Sequence, residues 1–398
     1  MESCNPSNPS SGSGANTPCD STRQTCPANP SSSGTPIKIL EGEIVELSWK
    51  SGISAAYNKR QISAPHWEQG VNVDDGAGSN RAAVYLFDTT GSSTDVEIKV
   101  NITRSQNVSG NGRLFATFGG LEIEGSCPTS VGTHTVSAQI KRLPDKITWI
   151  KGNINWQLES ASYGSTVSLS NNTRAEIFVI FNHPATFYTN GVWVEALRFL
   201  CDNVSLTGET DETSVAAKIT RYLHGSHGLT YGTVRGASRY FKGSSFNLKN
   251  YLIPLQPTVN CHDQAAAIQV LMGSLGLTTD YIFLGGTQTN PSPIFGFIHT
   301  TDLIGVGLCN NPFFTNSSYT NSKIVPINDP GRSNFFNHGF IKFNGKILDA
   351  CAEPHTGNES PTQYLNASID YAETTRRGKV GARASNMTSF GVPINSVK

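Results

Sequence analysis

Apolar and polar residues alternate over much of the first half of the chain, from Ile37 to about Leu206. A period of two places successive side chains on opposite faces of a strand, and clusters of Gly, Pro, Asn and Ser separate the alternating segments. Many short strands at such spacing are typical of a sandwich or barrel. We therefore predict an all-β, immunoglobulin-like sandwich region over residues 37–206, built as one elaborated sandwich or as two small ones. The segments are KILEGEIVELSWK, AAVYLFDTT, TDVEIKVNIT, GRLFATFGGLEIEG, THTVSAQIK, KITWIKGNINWQL and AEIFVIF.

The period changes near Glu209, where ETDETSVAAKITRYLHG begins with the spacing of a helix. Asp211 or Thr213 can cap its start and Gly225 can end it. The residues on its apolar face are Val215, Ile219 and Leu223.

A second helix is predicted within PTVNCHDQAAAIQVLMGSLGL, which starts at Pro257. Gly276 can end it, and TTDYIFLGG then has the pattern of a strand. Cys261 would lie at the helix N-terminus, where the helix dipole and free N–H groups favour the thiolate form. The residues of its apolar stripe are Ala265, Ile268, Met272 and Leu275.

The segment FNHGFIKFNGKILDACAEP has two apolar runs joined by Asn344 and Gly345. Asn-Gly between such runs is a strong hairpin signal. With these residues as the turn, Asp349 is the diagonal neighbour of His338 on one face of the hairpin. Diagonal neighbours lie roughly 7–8 Å apart at the backbone, which lets a carboxylate reach an imidazole. The pairs that this register predicts are Phe343 with Lys346, Ile341 with Leu348, and His338 with Cys351.

Cys261, His338 and Asp349 together form a plausible catalytic triad. An imidazole activates a neighbouring thiol, and a carboxylate behind the imidazole fixes its tautomer. The backbone N–H groups at the helix start can also stabilise an oxyanion.

A helix followed by TYG, then NCHDQAAAIQVLMGSLGL, a strand and NHGFIKFNGKILDA, resembles the transglutaminase-like superfamily of papain-type thiol enzymes over about residues 210–375. The resemblance implies an α+β papain-like catalytic domain over residues 207–398. It also implies that Cys261 is the nucleophile, His338 the base and acid, and Asp349 the orienting carboxylate. One departure favours hydrolysis over crosslinking. All five Trp residues lie at or before position 193, whereas many transglutaminases carry a Trp beside the active site.

Each candidate has a structural alternative. Cys261 could be a buried structural thiol. Adjacent helix residues do not share a face, so His262 and Asp263 are interpreted as capping or solvent-contacting residues, with His262 kept as an alternative base. Cys351 is a rival nucleophile that lacks a helix dipole. Gln256 could donate to an oxyanion as a papain-type glutamine does, or it is an ordinary loop residue.

Composition limits the classes of partner. Lys+Arg and Asp+Glu are equal at 30 each, which gives no reason to expect a nucleic-acid partner. The eight cysteines include no CxxC pair, so we expect no zinc site and no other metal or cofactor. No run of about 18 apolar residues occurs, so no membrane span is expected.

Residues 1–36 are rich in Ser, Pro and Gly and cannot bury enough apolar surface to fold, so we predict a disordered linker. Three cysteines lie in its first 26 residues, and their bonding state stays open. No signal peptide is visible there, so export would follow a signal-independent route. The composition is weakly similar to bacterial secreted toxins and their delivery proteins, which suggests a secreted effector with a secretion-system component or an immunity protein as partner.

The predicted function is a cysteine-dependent acyl-transfer hydrolase, a protease or amidase, which forms a thioester on a protein or peptide-like amide substrate. The alternatives are a transglutaminase or glutamine deamidase, and a non-catalytic binding module on the same fold. The irregular stretch from Thr287 to Phe335 is long enough to be functional, but its sequence does not identify a substrate.

Overall fold

The alternating first half of the chain folds mainly into strands in the computed structural model. The structure describes residues 36–50, 52–62, 66–71, 82–87, 93–171, 173–232, 236–285, 297–298, 302–307, 337–376 and 383–398. The predicted linker and most of the 287–335 stretch therefore lie outside the described residues. The strands of the first half are β1 (Ile39–Trp49), β2 (Ala55–Tyr57), β3 (Arg60–Ile62), β4 (His66–Glu68), β5 (Ala82–Leu86), β6 (Thr94–Gln106), β7 (Asn111–Phe118), β8 (Leu121–Pro128), β9 (Gly132–Ile140), β10 (Thr148–Ile154), β11 (Gln157–Ser160), β12 (Ser165–Ser168) and β13 (Thr173–Ile180).

An antiparallel sheet of eight described strands has the order β12-β11-β7-β8-β9-β6-β1-β4. Its alternating residues bury one face, as the sequence pattern predicts. In β6, for example, Val96, Ile98, Val100 and Ile102 are all buried. The buried face packs on a sheet of described strands β10-β13-β5, in which β13 and β5 run parallel. The finer expectation of an immunoglobulin-like topology stays a prediction.

The β10-β13-β5 sheet is buried on both faces. Ile177 and Val179 of β13 belong to the core shared with the eight-stranded sheet. Their neighbours Phe178 and Ile180 belong to a second core formed with the helices. Because side chains alternate along a strand, this one layer joins the β-rich region to the helical region.

The second half contains the described helices and shorter strands. These elements are β14 (Val192–Trp193), α1 (Val194–Asp202), α2 (Glu212–Gly225), β15 (Thr230–Tyr231), β16 (Phe241–Lys242), β17 (Ser245–Phe246), α3 (Leu248–Leu252), β18 (Thr258–Val259), α4 (Cys261–Ser274), β19 (Asp280–Gly285), β20 (Phe297–Ile298), β21 (Asn337–Phe343), β22 (Lys346–Asp349), β23 (His355–Thr356), α5 (Pro361–Ser368), β24 (Ile369–Asp370), α6 (Tyr371–Arg376), a 3-10 helix (Ala384–Asn386), β25 (Met387–Ser389) and β26 (Ser396–Val397).

Helix α1 corrects the prediction that residues 37–206 are all-β. Val194, Leu197 and Leu200 are buried, and this three-residue spacing is that of a helix face. The segment VWVEALRFL begins with a short apolar run, which fits a strand as well as a helix and so hides the boundary. Residues from both sides of Leu206 contribute to the second core, so the two predicted regions share it.

Helices α2 and α4 lie where the sequence predicts them. Asp211 caps α2 through its side chain, which accepts from the Ser214 N–H (2.6 Å), and the helix ends at Gly225. Every residue of α4 except His262 is buried. A helix that is buried on all sides belongs in the centre of a domain, and α4 packs against α2 and β21.

A further sheet of described strands, in the order β23-β22-β21-β19-β25, lies beside α4. The β21–β22 hairpin has the predicted pairs Phe343 with Lys346 and Ile341 with Leu348. Because β22 ends at Asp349, the predicted pair of His338 with Cys351 is not part of the ladder. Asn344 and Gly345 form the hairpin turn with φ values of 48° and 75°, as a type I′ turn requires.

Among the described residues, no helix is both long enough and apolar enough to cross a membrane.

Gly276, just after α4, should not tolerate a side chain. Its φ is +80°, and an added Cβ would lie 2.4 Å from the backbone carbonyl of Asn182. Gly276→Ala should therefore lower the free energy of unfolding by at least about 1–2 kcal/mol, measured by urea denaturation.

Gly225→Ala at the end of α2 is the matched control, because an added Cβ there meets no atom within 4 Å. It should leave stability unchanged or raise it by up to about 1 kcal/mol. Equal effects of the two substitutions would contradict the assignment of strain to Gly276.

Candidate active site

The start of α4 presents Cys261 as its first residue. Asn260 is the N-cap, and its side chain accepts from the Asp263 N–H (2.9 Å). The Asp263 carboxylate in turn accepts from the Asn260 N–H (3.3 Å), which completes a capping box. Cys261 is only 4% exposed. The cap thus fixes a buried thiol at the positive end of a helix dipole.

The β21–β22 hairpin brings His338 and Asp349 together. His338 Nε2 lies 2.6 Å from Asp349 Oδ2, and each residue is 1% exposed. The Cys261 thiol and the His338 imidazole lie close enough for each to shift the pKa of the other. Because Nε2 is bound to Asp349, Nδ1 is the nitrogen left for the sulfur. The three residues therefore lie in the order carboxylate, imidazole and thiol.

Two further donors hold the Asp349 carboxylate. Tyr364 on α5 donates its hydroxyl to Oδ2 (2.9 Å), and the Cys351 N–H donates to Oδ1 (2.8 Å). Burial opposes the charged form, but His338, the nearby His355 and the Cys351 N–H keep the pKa of Asp349 below its ordinary value. Asp349 is thus held as an anion behind His338.

The pKa values of Cys261 and His338 move in opposite directions. Burial raises the pKa of the Cys261 thiol, but His262, His338 and the Gly339 N–H outweigh it and bring that pKa to about 7. Burial lowers the pKa of His338, but Asp349 and Cys261 raise it to about 10. At a pH between these two pKa values, the favoured state is a Cys261 thiolate paired with a His338 imidazolium.

Asp263 has a larger part in the site than its sequence position indicates. It caps α4, as predicted, but it is 0% exposed, so the expected solvent contact is wrong. Its carboxylate accepts hydrogen bonds from residues 238–241, which lead into β16, as well as from the cap. The donors in this segment are Ser238 Oγ (2.7 Å) and the backbone N–H groups of Arg239 (2.8 Å), Tyr240 (2.7 Å) and Phe241 (2.8 Å).

The structure also changes the interpretation of His262 as a capping or solvent-contacting residue. His262 is half-buried, and both ring nitrogens are bound to protein groups. Nδ1 lies 2.6 Å from Tyr281 Oη, and Nε2 lies 2.9 Å from Asn337 Oδ1. The ring is therefore held by side chains of β19 and β21.

The side chains of the remaining candidates form no described hydrogen bond with Cys261, His338 or Asp349. Gln256 is exposed, and its backbone carbonyl accepts from Tyr240 Oη (2.5 Å). No described contact joins its amide to Cys261, so its oxyanion role stays a prediction without support from geometry. Burial and the neighbouring Cys261 raise the pKa of Cys351 well above its ordinary value, as expected for a structural thiol.

The sequence did not predict the role of Tyr364 or the set of hydrogen bonds that the Asp263 carboxylate accepts. The N-x-x-D spacing of Asn260 and Asp263 is a capping-box signal, and it predicts the cap but not the segment that shares the carboxylate. Tyr364 follows Asp349 by 15 residues and carries no local signal. Within the described part of the chain, no group of three or more His, Cys, Asp and Glu is placed to hold a metal ion.

No family model and no curated protein sequence matches this chain. Among solved structures, the chain is distantly similar to red sea bream transglutaminase, with a TM-score of 0.38 and 12% sequence identity. The similarity covers 67% of this chain and 49% of that protein, so the chain spans about half the length of that transglutaminase. A likeness of this size assigns neither an activity nor a site residue to the chain.

Asp263→Asn should destabilise the protein strongly. The substituted side chain would have one oxygen in place of two, and its NH2 group would face N–H and O–H donors that now bind the Asp263 carboxylate. Some of these buried donors would therefore lose their acceptor. We expect the free energy of unfolding to fall by about 3 kcal/mol or more, measured by urea denaturation.

Asp280→Asn is the control, since Asp280 forms a partly exposed ion pair with Lys342 (3.0 Å). Its loss should cost less than about 1 kcal/mol. Similar losses in both variants would mean that the Asp263 hydrogen bonds do not stabilise the fold.

Proposed function

We propose that this chain is a cysteine-dependent acyl-transfer hydrolase, a protease or amidase that acts on an amide bond of a protein or peptide-like substrate. The observation that supports it is the buried hydrogen bond between Asp349 and His338 (2.6 Å), with the Cys261 thiol beside the same imidazole. A purely structural cysteine has no need of a charged imidazole and a carboxylate behind it. A nucleophile that must be a thiolate near neutral pH needs both.

The first half of the reaction forms a thioester. The Cys261 thiolate attacks the amide carbonyl carbon, and the carbonyl electron pair moves to the oxygen. Backbone N–H groups of the first turn of α4 lack intrahelical partners and can stabilise this oxyanion. His338 then gives its proton to the leaving nitrogen as the carbon–nitrogen bond breaks.

The second half releases the acyl group. His338, now neutral, removes a proton from water, which attacks the thioester carbon. The carbon–sulfur bond breaks, a carboxylic acid leaves and the thiolate–imidazolium pair is restored. Asp349 stays ionised throughout and stabilises the imidazolium form of His338. Tyr364 and the Cys351 N–H hold Asp349 in that orientation.

Cys261→Ala and His338→Ala should each abolish turnover of a fluorogenic peptide-amide library, because each removes a group that makes or breaks a bond. Asp349→Asn should leave about a hundredfold more activity than either, since Asp349 only orients and stabilises the ring. The double variant of Cys261 and His338 should be no worse than Cys261→Ala, because residues that act as a unit are not additive.

Cys127→Ala is the matched control, because Cys127 is also a buried free thiol but belongs to the core of the eight-stranded sheet. It should keep normal turnover. Full activity in folded Cys261→Ala would refute the proposed nucleophile. Repeating the assay with a primary amine separates hydrolysis, which yields the free acid, from transfer, which yields a new amide.

The pH dependence should be bell-shaped. The rate should rise as pH increases through about 7, where Cys261 loses its proton, and fall above about 10, where His338 loses the proton needed by the leaving group. The measurement is kcat/KM against pH, which reports the free enzyme. A rise centred on the ordinary thiol value of 9.0 would show that Cys261 is not activated.

Export of the chain and an effector role stay predictions from composition. The peptide-amide library is the test of substrate class that needs neither of them.

A further inference from the structure

The residue next to the proposed nucleophile, His262, is hydrogen-bonded to the residue next to the proposed base, Asn337. His262 follows Cys261 at the start of α4, while Asn337 precedes His338 at the start of β21. His262 Nε2 and Asn337 Oδ1 lie 2.9 Å apart although the residues are 75 positions apart in the chain. This hydrogen bond is therefore a direct link between the two elements that carry Cys261 and His338.

Strand β19 provides a second attachment. His262 Nδ1 lies 2.6 Å from Tyr281 Oη. The imidazole is also nearly parallel to the rings of Tyr281 (11°) and Phe283 (14°), with centroids 6.3 and 6.0 Å away. Because β19 pairs with β21, both hydrogen bonds hold the ring against the same sheet.

Gly339 makes room for this arrangement. An added Cβ at Gly339 would lie 2.7 Å from His262 Nδ1 and 2.7 Å from Tyr281 Oη. The Gly339 backbone N–H is also among the groups that lower the pKa of the Cys261 thiol. The absence of a side chain thus lets the His262 ring and Tyr281 pack closely against the strand that carries His338.

We infer that His262 is a positioning residue that clamps the start of α4 to β21 and so holds Cys261 beside His338. This inference rests on the function proposed above. His262 does not exchange protons with the substrate in this role. It acts through the geometry of the other two residues.

The electrostatics around Cys261 act in the same direction as the clamp. Burial raises the pKa of the Cys261 thiol and is the largest single influence on it. Among the influences that lower this pKa, the electrostatic effect of His262 is the largest and that of His338 is the next. Asp349 lies behind His338, and Asp263 lies at the helix cap. The other titratable groups that interact electrostatically with Cys261 are Tyr231, Tyr281 and Cys351.

The test is the pH midpoint of Cys261 alkylation by iodoacetamide, followed on the Cys261 peptide by mass spectrometry. The midpoint reports the thiolate, whereas a change in access to the buried sulfur alters the rate at every pH. His262→Gln should raise the midpoint by about one unit, so that alkylation near pH 7 is about tenfold slower.

Asn337→Ala separates the clamp from the electrostatic effect of His262, since it removes the hydrogen bond between the two residues but keeps the imidazole. It should move the midpoint in the same direction as His262→Gln. The double variant should shift the midpoint no further than His262→Gln alone, because both changes break one interaction. His134→Gln, which removes an imidazole bonded to the Ser130 carbonyl (2.7 Å) far from this site in the chain, should leave the midpoint unchanged.

An unchanged midpoint in Asn337→Ala would overturn the clamp. This holds even if the midpoint of His262→Gln is shifted, because that shift would then come from losing the electrostatic effect of the imidazole alone. If His262→Gln does not fold, Asn337→Ala and Tyr281→Phe decide the question, and normal midpoints in both would overturn it. A wild-type midpoint at the ordinary thiol value would refute the proposed function and this inference with it. A low wild-type midpoint with unaffected variants would refute the inference alone.

Discussion

A carboxylate with no exposed surface, that of Asp263, holds the centre of this protein together. A buried charge is costly unless hydrogen bonds replace its lost water. Here the replacements come from the cap of α4 and from the backbone of residues 239–241. The carboxylate can be satisfied only if the helix start and this segment meet in one arrangement. The position of Cys261, two residues earlier, follows from that requirement.

The candidate triad extends the same logic to a second buried anion. Asp349 is surrounded by donors from three parts of the fold: His338 on β21, Tyr364 on α5 and the backbone of Cys351. In a low-dielectric interior the attraction between such groups is strong, and leaving one unpaired is expensive. The network therefore rigidifies the site and also makes the thiolate–imidazolium pair the favoured state. Stabilisation of the fold and the proposed activation of Cys261 depend on the same groups.

Support for α4 comes from two sides. The β10-β13-β5 sheet contributes alternate residues to the core beside the helices and to the core beneath the eight-stranded sheet. On the other side, β21 packs directly against α4. Gly273 allows the segment between β13 and β14 to approach α4 closely, since a Cβ at Gly273 would lie 2.5 Å from the ring of Phe187. A helix enclosed in this way keeps the backbone N–H groups of its first turn in fixed positions, which is what an oxyanion site requires.

The sequence alone determined the features that depend on neighbours in the chain. The alternation of β6, the caps and ends of α2 and α4, and the Asn344-Gly345 turn are all short-range patterns. The hairpin register even places His338 diagonal to Asp349, because the turn and the two-residue period of a strand fix which side chains share a face. Helix α1 was missed because its first apolar residues fit either period.

Only the tertiary structure decided which distant residues complete the site. Asp263 binds residues more than 20 positions away, His262 binds Asn337 across 75 positions, and Tyr364 reaches Asp349 from another helix. Each contact depends on how whole elements pack, and a single sequence carries no local signal for such packing. The sequence could thus identify the thiol, the imidazole and the carboxylate. The groups that hold them in place became visible only when buried polar atoms in the fold had to find partners.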